Sequence, residues 1–399
     1  MSYLVILFLL ASFALSPVYI WESGLPQISH IFASVAILIR LLYKPRIKWN
    51  RFWALGALFV LCSFVADIII FSRYGDIRSM LEPAQFTFDF SVFVLLVSVI
   101  QERGRPILRK IFWLHMGLLI FQTTTVLLGN TRVFGSTRAM GFFNDPNQMS
   151  YWALWTAIII GSTGKVLYSS WLPGYLALLL AGAIDLFSAS RSAALGLAVL
   201  ALVYVYILTA DLVRTRGFDI GMKTNRAKLI WVVGLILLLS GVTFVVYRAG
   251  GPVALLSKGA YLVQRFGEHQ YDDTLSGRGY DRLWKFPEYL LFGAGQGAFK
   301  RYSHSARFLG EIHSTWAGVL FNYGVTGFVL LLGFLFGVLR KSGYPFALLA
   351  LPPFVYGFAT FGLRNWYFWV GLAVIYSSSY ISFHQKRDEL RNKNPMLTR

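Results

Sequence analysis

Residues 248–312 hold nine Lys/Arg, several at spacings that could grip an anion. Lys258 and Arg265 are seven apart in a stretch, residues 252–266, that reads as a short helix, so they share a face. Arg278, Arg282 and Lys285 fall at i, i+4 and i+7 of a second short helix predicted over 278–289, with Pro287 close to its end. A basic stripe of this kind suits an anionic ligand, and Trp284, like Trp316 beyond it, is placed to stack on a ring. The competing reading for Arg282 and Lys285 is a solvated helix face with local pairs such as Asp281–Lys285. Arg191 lies in a Ser/Ala-rich break between two apolar runs, and Glu311 and His313 stand where the basic stretch meets the next run.

Three acids lie inside apolar runs, where charge is costly and points to function by default: Asp67, Asp89 and Asp185. Each sits about 3–8 Å from the same end of its run, at 1.5 Å per residue. They imply either a polar cavity open on that side or partners for nearby arginines that hold helices together. Asp185 and Arg191 are six apart and would not share a helix face. No metal site is expected: His30, His115, His269, His304 and His384 lack ligand spacing, and there is no CxxC, HExxH or P-loop. Gly293-Ala294-Gly295-Gln296-Gly297 lacks the strand before it and the Lys-Ser/Thr after it that a nucleotide loop needs, and reads as a turn. No cofactor is implied.

The elements that must position these groups are set by composition. Of 399 residues 56% are hydrophobic and 14% charged, with mean hydropathy +0.58, which excludes a soluble fold. A single apolar core stops growing near roughly 250–300 residues, whereas here apolar runs long enough to cross about 30 Å of hydrocarbon recur from end to end. The chain reads as an all-α polytopic integral membrane protein with about twelve spans. These fall near residues 3–20, 26–43, 52–71, 84–100, 111–128, 148–162, 171–187, 192–210, 229–247, 314–339, 345–361 and 366–383. Residues 1–247 thus hold nine spans, 248–312 a long loop, 313–383 three spans and 384–399 a basic tail. The first run has no basic residue in Met1–Leu10 and reads as an uncleaved span. The lone Cys62 allows no intramolecular disulfide.

The net charge of +19 would raise the question of nucleic acid in a soluble chain, but here it divides by side. One set of alternate loops plus the tail carries 21 Lys/Arg against five acids, leaving +16, so both termini are expected in the cytoplasm and no nucleic-acid partner is implied. Residues 248–312 then lie outside with six acids and a net +3, a cluster that long translocated loops tolerate but topology does not explain.

Gly141-Phe142-Phe143-Asn144-Asp145-Pro146-Asn147-Gln148 resembles the Gly-Phe-x-x-x-Pro-Asn signature of the bacterial O-antigen ligase and O-antigen polymerase superfamily. So do Ser190-Arg191-Ser192 before an apolar run, and Ser276-Gly277-Arg278 followed by Trp284 and Phe292-Gly293-Ala294-Gly295. The string closes with His313-Ser314-Thr315 and Tyr323-Gly324-Val325-Thr326-Gly327, where the family has His-Asn and then Gly-x-x-Gly. Ser314 in place of Asn is a departure that bears on hydrogen bonding around His313. The resemblance covers roughly residues 140–330 in order, and residues 1–130 carry no matching motif.

The resemblance implies a GT-C-like helical fold in the bacterial inner membrane and a metal-independent, inverting glycosyl transfer on the periplasmic side. The donor would be an oligosaccharide on undecaprenyl pyrophosphate, and the acceptor a second lipid-linked glycan (polymerase) or lipid A core (ligase), with room for a chain-length regulator as partner. A diphosphate leaving group without a metal needs cations, and arginine's fixed fork suits phosphate, which favours Arg191 and Arg278, with Arg265, Arg282 and Lys285 in support. The acceptor hydroxyl needs a base, and His313 fits that role, with Glu311 to orient or replace it. Asn147 joins the binding residues through its motif, and Trp284 as a stacking platform for sugar. The segment from Trp316 to Gly324 looks more like a polymerase than a ligase. A transporter or flippase would instead want polar residues at the bilayer midplane and internal symmetry between halves. A metal-dependent transferase would want acidic ligands in a first outer loop that here is only Trp21-Glu22-Ser23-Gly24-Leu25.

Overall fold

A computed structural model describes residues 2–21, 26–43, 49–129, 131–134, 138–215, 252–267, 274–303 and 310–393. The described residues are mainly helical: α1 Ser2–Ala14, α2 Ile28–Tyr43, α3 Arg51–Tyr74, α4 Leu81–Arg103, α5 Arg105–Leu127, α6 Pro146–Tyr168, α7 Leu172–Ser188 and α8 Arg191–Thr215. After these come α9 Pro252–Gly267, two single-turn helices α10 Arg282–Lys285 and α11 Tyr289–Phe292, then α12 Thr315–Ser342, α13 Leu351–Ala359 and α14 Trp366–Lys393. A small antiparallel hairpin, β1 Arg132–Phe134 and β2 Arg138–Gly141, joins α5 to α6. Among the described residues five helical segments are long and apolar enough to cross a membrane: α3, α4 with the turn before it, α5, the Arg191–Ala210 part of α8, and α12. The ninth expected span, 229–247, lies outside the described residues.

The centre of the molecule is α6, which packs against α5, α7, α8 and α14. Its sequence is apolar on every side and nearly every residue is buried, Trp152 and Trp155 included, as the physics of an all-round apolar helix requires. It runs 23 residues, longer than the expected 148–162: Asp145 starts it two residues earlier and it continues six residues further, to Tyr168. The Asp145 carboxylate accepts from the Asn147 and Gln148 N–H groups at 2.7 and 3.1 Å, and Pro146 fills the first position, where no N–H is needed.

Three expectations are corrected. The helix over 278–289 does not form: turns occupy 275–281, Gly279 takes φ +76, and only α10 and α11 are helical, on either side of Pro287. A small core holds this shape, with Tyr302, Ile312 and Phe321 buried against Tyr280, Leu283, Phe286 and Tyr289. The run 345–361 resolves into a five-residue 3-10 turn, Phe346–Ala350, and the nine-residue α13. Finally, α12 is broken at Gly324, which sits at φ +67, ψ −177. The break exposes main-chain acceptors, and the Gly-Ala-Gly turn supplies their donors: Ala294 and Gly295 N–H bond the Phe321 and Asn322 carbonyls, each at 2.8 Å.

Candidate functional site

The Asn147 that opens α6 accepts from Arg138 Nη2 at 3.0 Å, while Arg138 Nε donates to the Ser188 carbonyl at 2.8 Å. Arg138 thereby ties the β-hairpin and α6 to the end of α7. Burial, and then the like charge of Arg265, pull its guanidinium below its ordinary pKa, opposed by Asp145 and Asp185. At the same α7 end, Ala189 in the left-handed conformation (φ +49) turns the chain into α8, which begins at Arg191.

Arg191 and Arg265 then hold each other's backbone neighbourhood. Arg191 Nη1 donates to the Arg265 carbonyl at 3.0 Å, and Arg265 Nη1 to the Ala189 carbonyl at 2.6 Å. These bonds pin α9 over the α7–α8 turn. Next to Arg191, the Ser192 hydroxyl meets that of Thr360 at 3.3 Å. Thr360 leads to the second half of the site, because its carbonyl accepts from the Thr315 N–H at 3.2 Å and hydroxyl at 3.1 Å.

Here the C-terminal carbonyls of α13 are the anchor. Arg278 donates to the Ala359 carbonyl, the Tyr280 hydroxyl to Phe358, and the Ser314 hydroxyl to Gly357 at 3.3 Å. A cation at a helix C-terminus meets both its open carbonyls and its dipole. The His313 N–H donates to the Arg278 carbonyl at 3.0 Å, which leaves the His313 side chain exposed at the head of α12. Ser314, where the resembled motif has Asn, accepts from the Ala317 N–H at 3.3 Å and caps α12. A run of hydrogen bonds, completed by the Ala359–Thr360 and Arg191–Ser192 peptide links, therefore joins His313, Arg278, Thr360, Ser192, Arg191 and Arg265, while the hairpin brings Arg138 and Asn147 to the Ser188 end of the same α7–α8 turn. Each of these four arginines donates to a main-chain carbonyl, at Ser188, Arg265, Ala189 and Ala359, which orients its guanidinium.

Other residues singled out in the sequence lie apart from this run. Arg282 does not share a face with Arg278 and Lys285: it is 1% exposed, donates to the Gly310 carbonyl and lies 4.8 Å over the Tyr302 ring. Burial lowers its pKa and raises that of Tyr302. Lys285 pairs with Asp281 at 2.8 Å, the local pair that competed with the anion reading. Trp284 is 56% exposed. Glu311 is ion-paired to Arg364 at 2.5 Å, which suits an orienting role better than that of a free base.

Glu311 belongs to a second polar group. Gln296 receives an amide bond from Asn322 at 2.7 Å, reaches Glu311 at 3.5 Å and gives its N–H to Asp67 at 2.5 Å. Tyr323 hydroxyl also donates to Asp67, at 3.4 Å, so this in-span acid fastens the outer segment to α3. Asp89 accepts from Gln85 at 2.9 Å. Asp185 keeps company instead with Ser188, at 3.2 Å, near Arg138. The three acids therefore serve two separate places. Among the described residues no group of three or more His, Cys, Asp or Glu is set to hold a metal ion.

Sequence reasoning passed over Arg138, Arg364 and Gln296. The two arginines carried a signal: both lie in short loops on the side expected to be poor in Lys/Arg, where a basic residue needs a reason. Gln296 carried none, being a polar residue in a glycine turn. No protein-family model and no curated protein matches the chain.

Proposed function

We propose that this membrane-embedded chain transfers a glycan from undecaprenyl pyrophosphate to a sugar hydroxyl at the periplasmic face, and that it polymerises lipid-linked repeat units. The observation that carries the reading is the run of contacts joining His313 and Arg278 to Arg191, three residues of separate resembling motifs, and on to Arg265 of the basic loop helix. The acceptor oxygen forms its bond to the anomeric carbon as the bond from that carbon to the diphosphate oxygen breaks, with inversion. The electron pair leaves with the diphosphate, whose charge Arg191, Arg265, Arg278 and Arg138 offset, and the hydroxyl proton passes to His313. Because arginine supplies this positive charge, transfer should persist in excess EDTA; loss restored by Mg²⁺ or Mn²⁺ would move the protein to the metal-dependent class.

The test is to give the purified protein lipid-linked repeats alone. A ladder of products supports polymerisation; reaction only after lipid A core is added makes it a ligase. Lipid movement across the bilayer without any new glycosidic bond would make it a flippase. His313→Ala and Arg278→Ala should each abolish transfer while leaving membrane insertion intact, and full activity in either would overturn the site.

A further inference from the structure

Phe292, at the end of α11, is 77% exposed, more than any other large apolar side chain among the described residues, and Leu291 beside it is 58% exposed. Single exposed apolar residues are ordinary. These two are held rigidly, because α11 is wedged into the break in α12. A Cβ at Gly324 would lie 2.4 Å from the Leu291 carbonyl oxygen, and one at Gly293 would lie 2.3 Å from that of Asn322. The hydrogen bonds from Ala294 and Gly295 to the broken helix fix the turn from its other side. Below the break, Val325, Val329, Leu332 and Phe336 are 45, 58, 40 and 66% exposed. Their i, i+4, i+7, i+11 spacing makes one stripe on a helix apolar enough to cross a membrane, and so the face that meets lipid. Leu291 and Phe292 adjoin the top of that stripe. Arg301, whose guanidinium lies 5.6 Å over Tyr289 at the start of α11, and the exposed Lys300 next to it in the chain give the outer segment basic charge, as suits a headgroup boundary.

We infer that the Leu291–Phe292 turn is a membrane anchor, immersed at the acyl–headgroup boundary as a continuation of the lipid-facing stripe of α12. It sets the depth at which the outer segment is held against the spans through Gln296 and Asp67. The inference needs only that α12 is embedded in lipid, and stands independently of glycan transfer.

The test uses the full chain with Cys62→Ser as background, bearing a single NBD-labelled cysteine at Phe292→Cys and reconstituted in phosphatidylcholine–phosphatidylglycerol vesicles. Leu202→Cys, at a 68% exposed position on α8, serves as lipid reference, and Ser303→Cys, exposed in the outer segment, as aqueous reference. The label at 292 should emit at short wavelength, resist iodide, and be quenched by shallow doxyl lipid more strongly than that at 202, which lies near the middle of the Arg191–Ala210 span. Emission and iodide quenching like those at 303 would overturn the anchor. So would short-wavelength emission insensitive to doxyl lipid but dependent on protein density, which would make the turn a contact between copies. Leu291→Cys repeats the measurement at the neighbouring position, and both sites are exposed enough for the label to leave the fold intact.

Discussion

Arg138 and Arg282 carry the same charge and are put to opposite uses. Arg282 is surrounded by the Tyr302 and Phe299 rings and the Gly310 carbonyl, so its charge is spent on packing the outer segment. Arg282→Ala should therefore destabilise the segment by about 3 kcal/mol, read as earlier proteolysis within 274–303, without a specific effect on ligand affinity. Arg138 is held at two points, Asn147 and Ser188, beside Arg191 and Arg265. If the cluster grips a diphosphate, Arg138→Ala should weaken transfer at low donor concentration by about tenfold or more, since a charge-assisted hydrogen bond contributes roughly 1.5–3 kcal/mol. Arg138→Lys should recover only part of that, because an ammonium cannot reproduce the two-point hold. An unchanged rate in Arg138→Ala would remove the residue from the site. Arg191, Arg265 and Arg278 stood out in the sequence because each breaks a local rule, a charge in an interspan break or a basic cluster on the Lys/Arg-poor side, and His313 because it stands where the long loop enters the next apolar run. Whether a guanidinium faces a ring or a ligand is decided by tertiary packing, so the competing reading for Arg282 is a solvated face and not the aromatic pocket it occupies.

At the scale of elements, apolar runs marked the starts of most helices to within about three residues, whereas the ends of α1, α6, α8 and α14 and the start of α5 fall five to ten residues from the expected edges. The failures of helical continuity share one cause. Periodicity placed three basic residues on one helix face over 278–289, but Gly279 and Pro287 end helical structure there, and burying Arg282 outweighed the amphipathic pattern. The break in α12 went unread because a glycine within an apolar run does not say whether another segment will satisfy the carbonyls it frees. Gly324→Ala tests that junction directly. With φ at +67 and the Leu291 carbonyl in the way, it should cost about 1–3 kcal/mol and raise amide exchange at Ala294 and Gly295. Asp76 supplies a second seat for the same turn, accepting from the Ala298 N–H at 2.8 Å, and that bond holds its pKa below the usual carboxylate range. A depressed acid stabilises the fold above its unfolded pKa of about 3.9, and that contribution fades as pH falls through the lower folded value. Exchange protection around Ala298 should thus be flat across neutral pH and drop only in stronger acid, and Asp76→Asn should weaken it at pH 7.

For the molecule as a whole, charge does the sorting. The +16 assigned to one set of loops and the tail is a statement about orientation, and the arginines of the candidate site are the exceptions to it. Beyond the break at Gly324, the part of α12 from Val325 to the basic Arg340–Lys341 end is about 25 Å long at 1.5 Å per residue, enough with the turn above it to put His313 and Lys341 on opposite sides of the hydrocarbon. A site that takes its donor from the outer leaflet requires the 274–303 segment outside and the end of α14 inside. Alkaline phosphatase fused after Ser303 should therefore be active in intact cells and its fusion after Gln385 inactive, with fluorescent-protein fusions giving the reverse. The same activity at both positions would mean that an even number of crossings separates Ser303 from Gln385, against the odd number that the charge pattern requires. Phosphatase activity after Gln385 alone would invert the orientation, placing the arginine cluster in the cytoplasm, where a periplasmic lipid-linked donor cannot reach it.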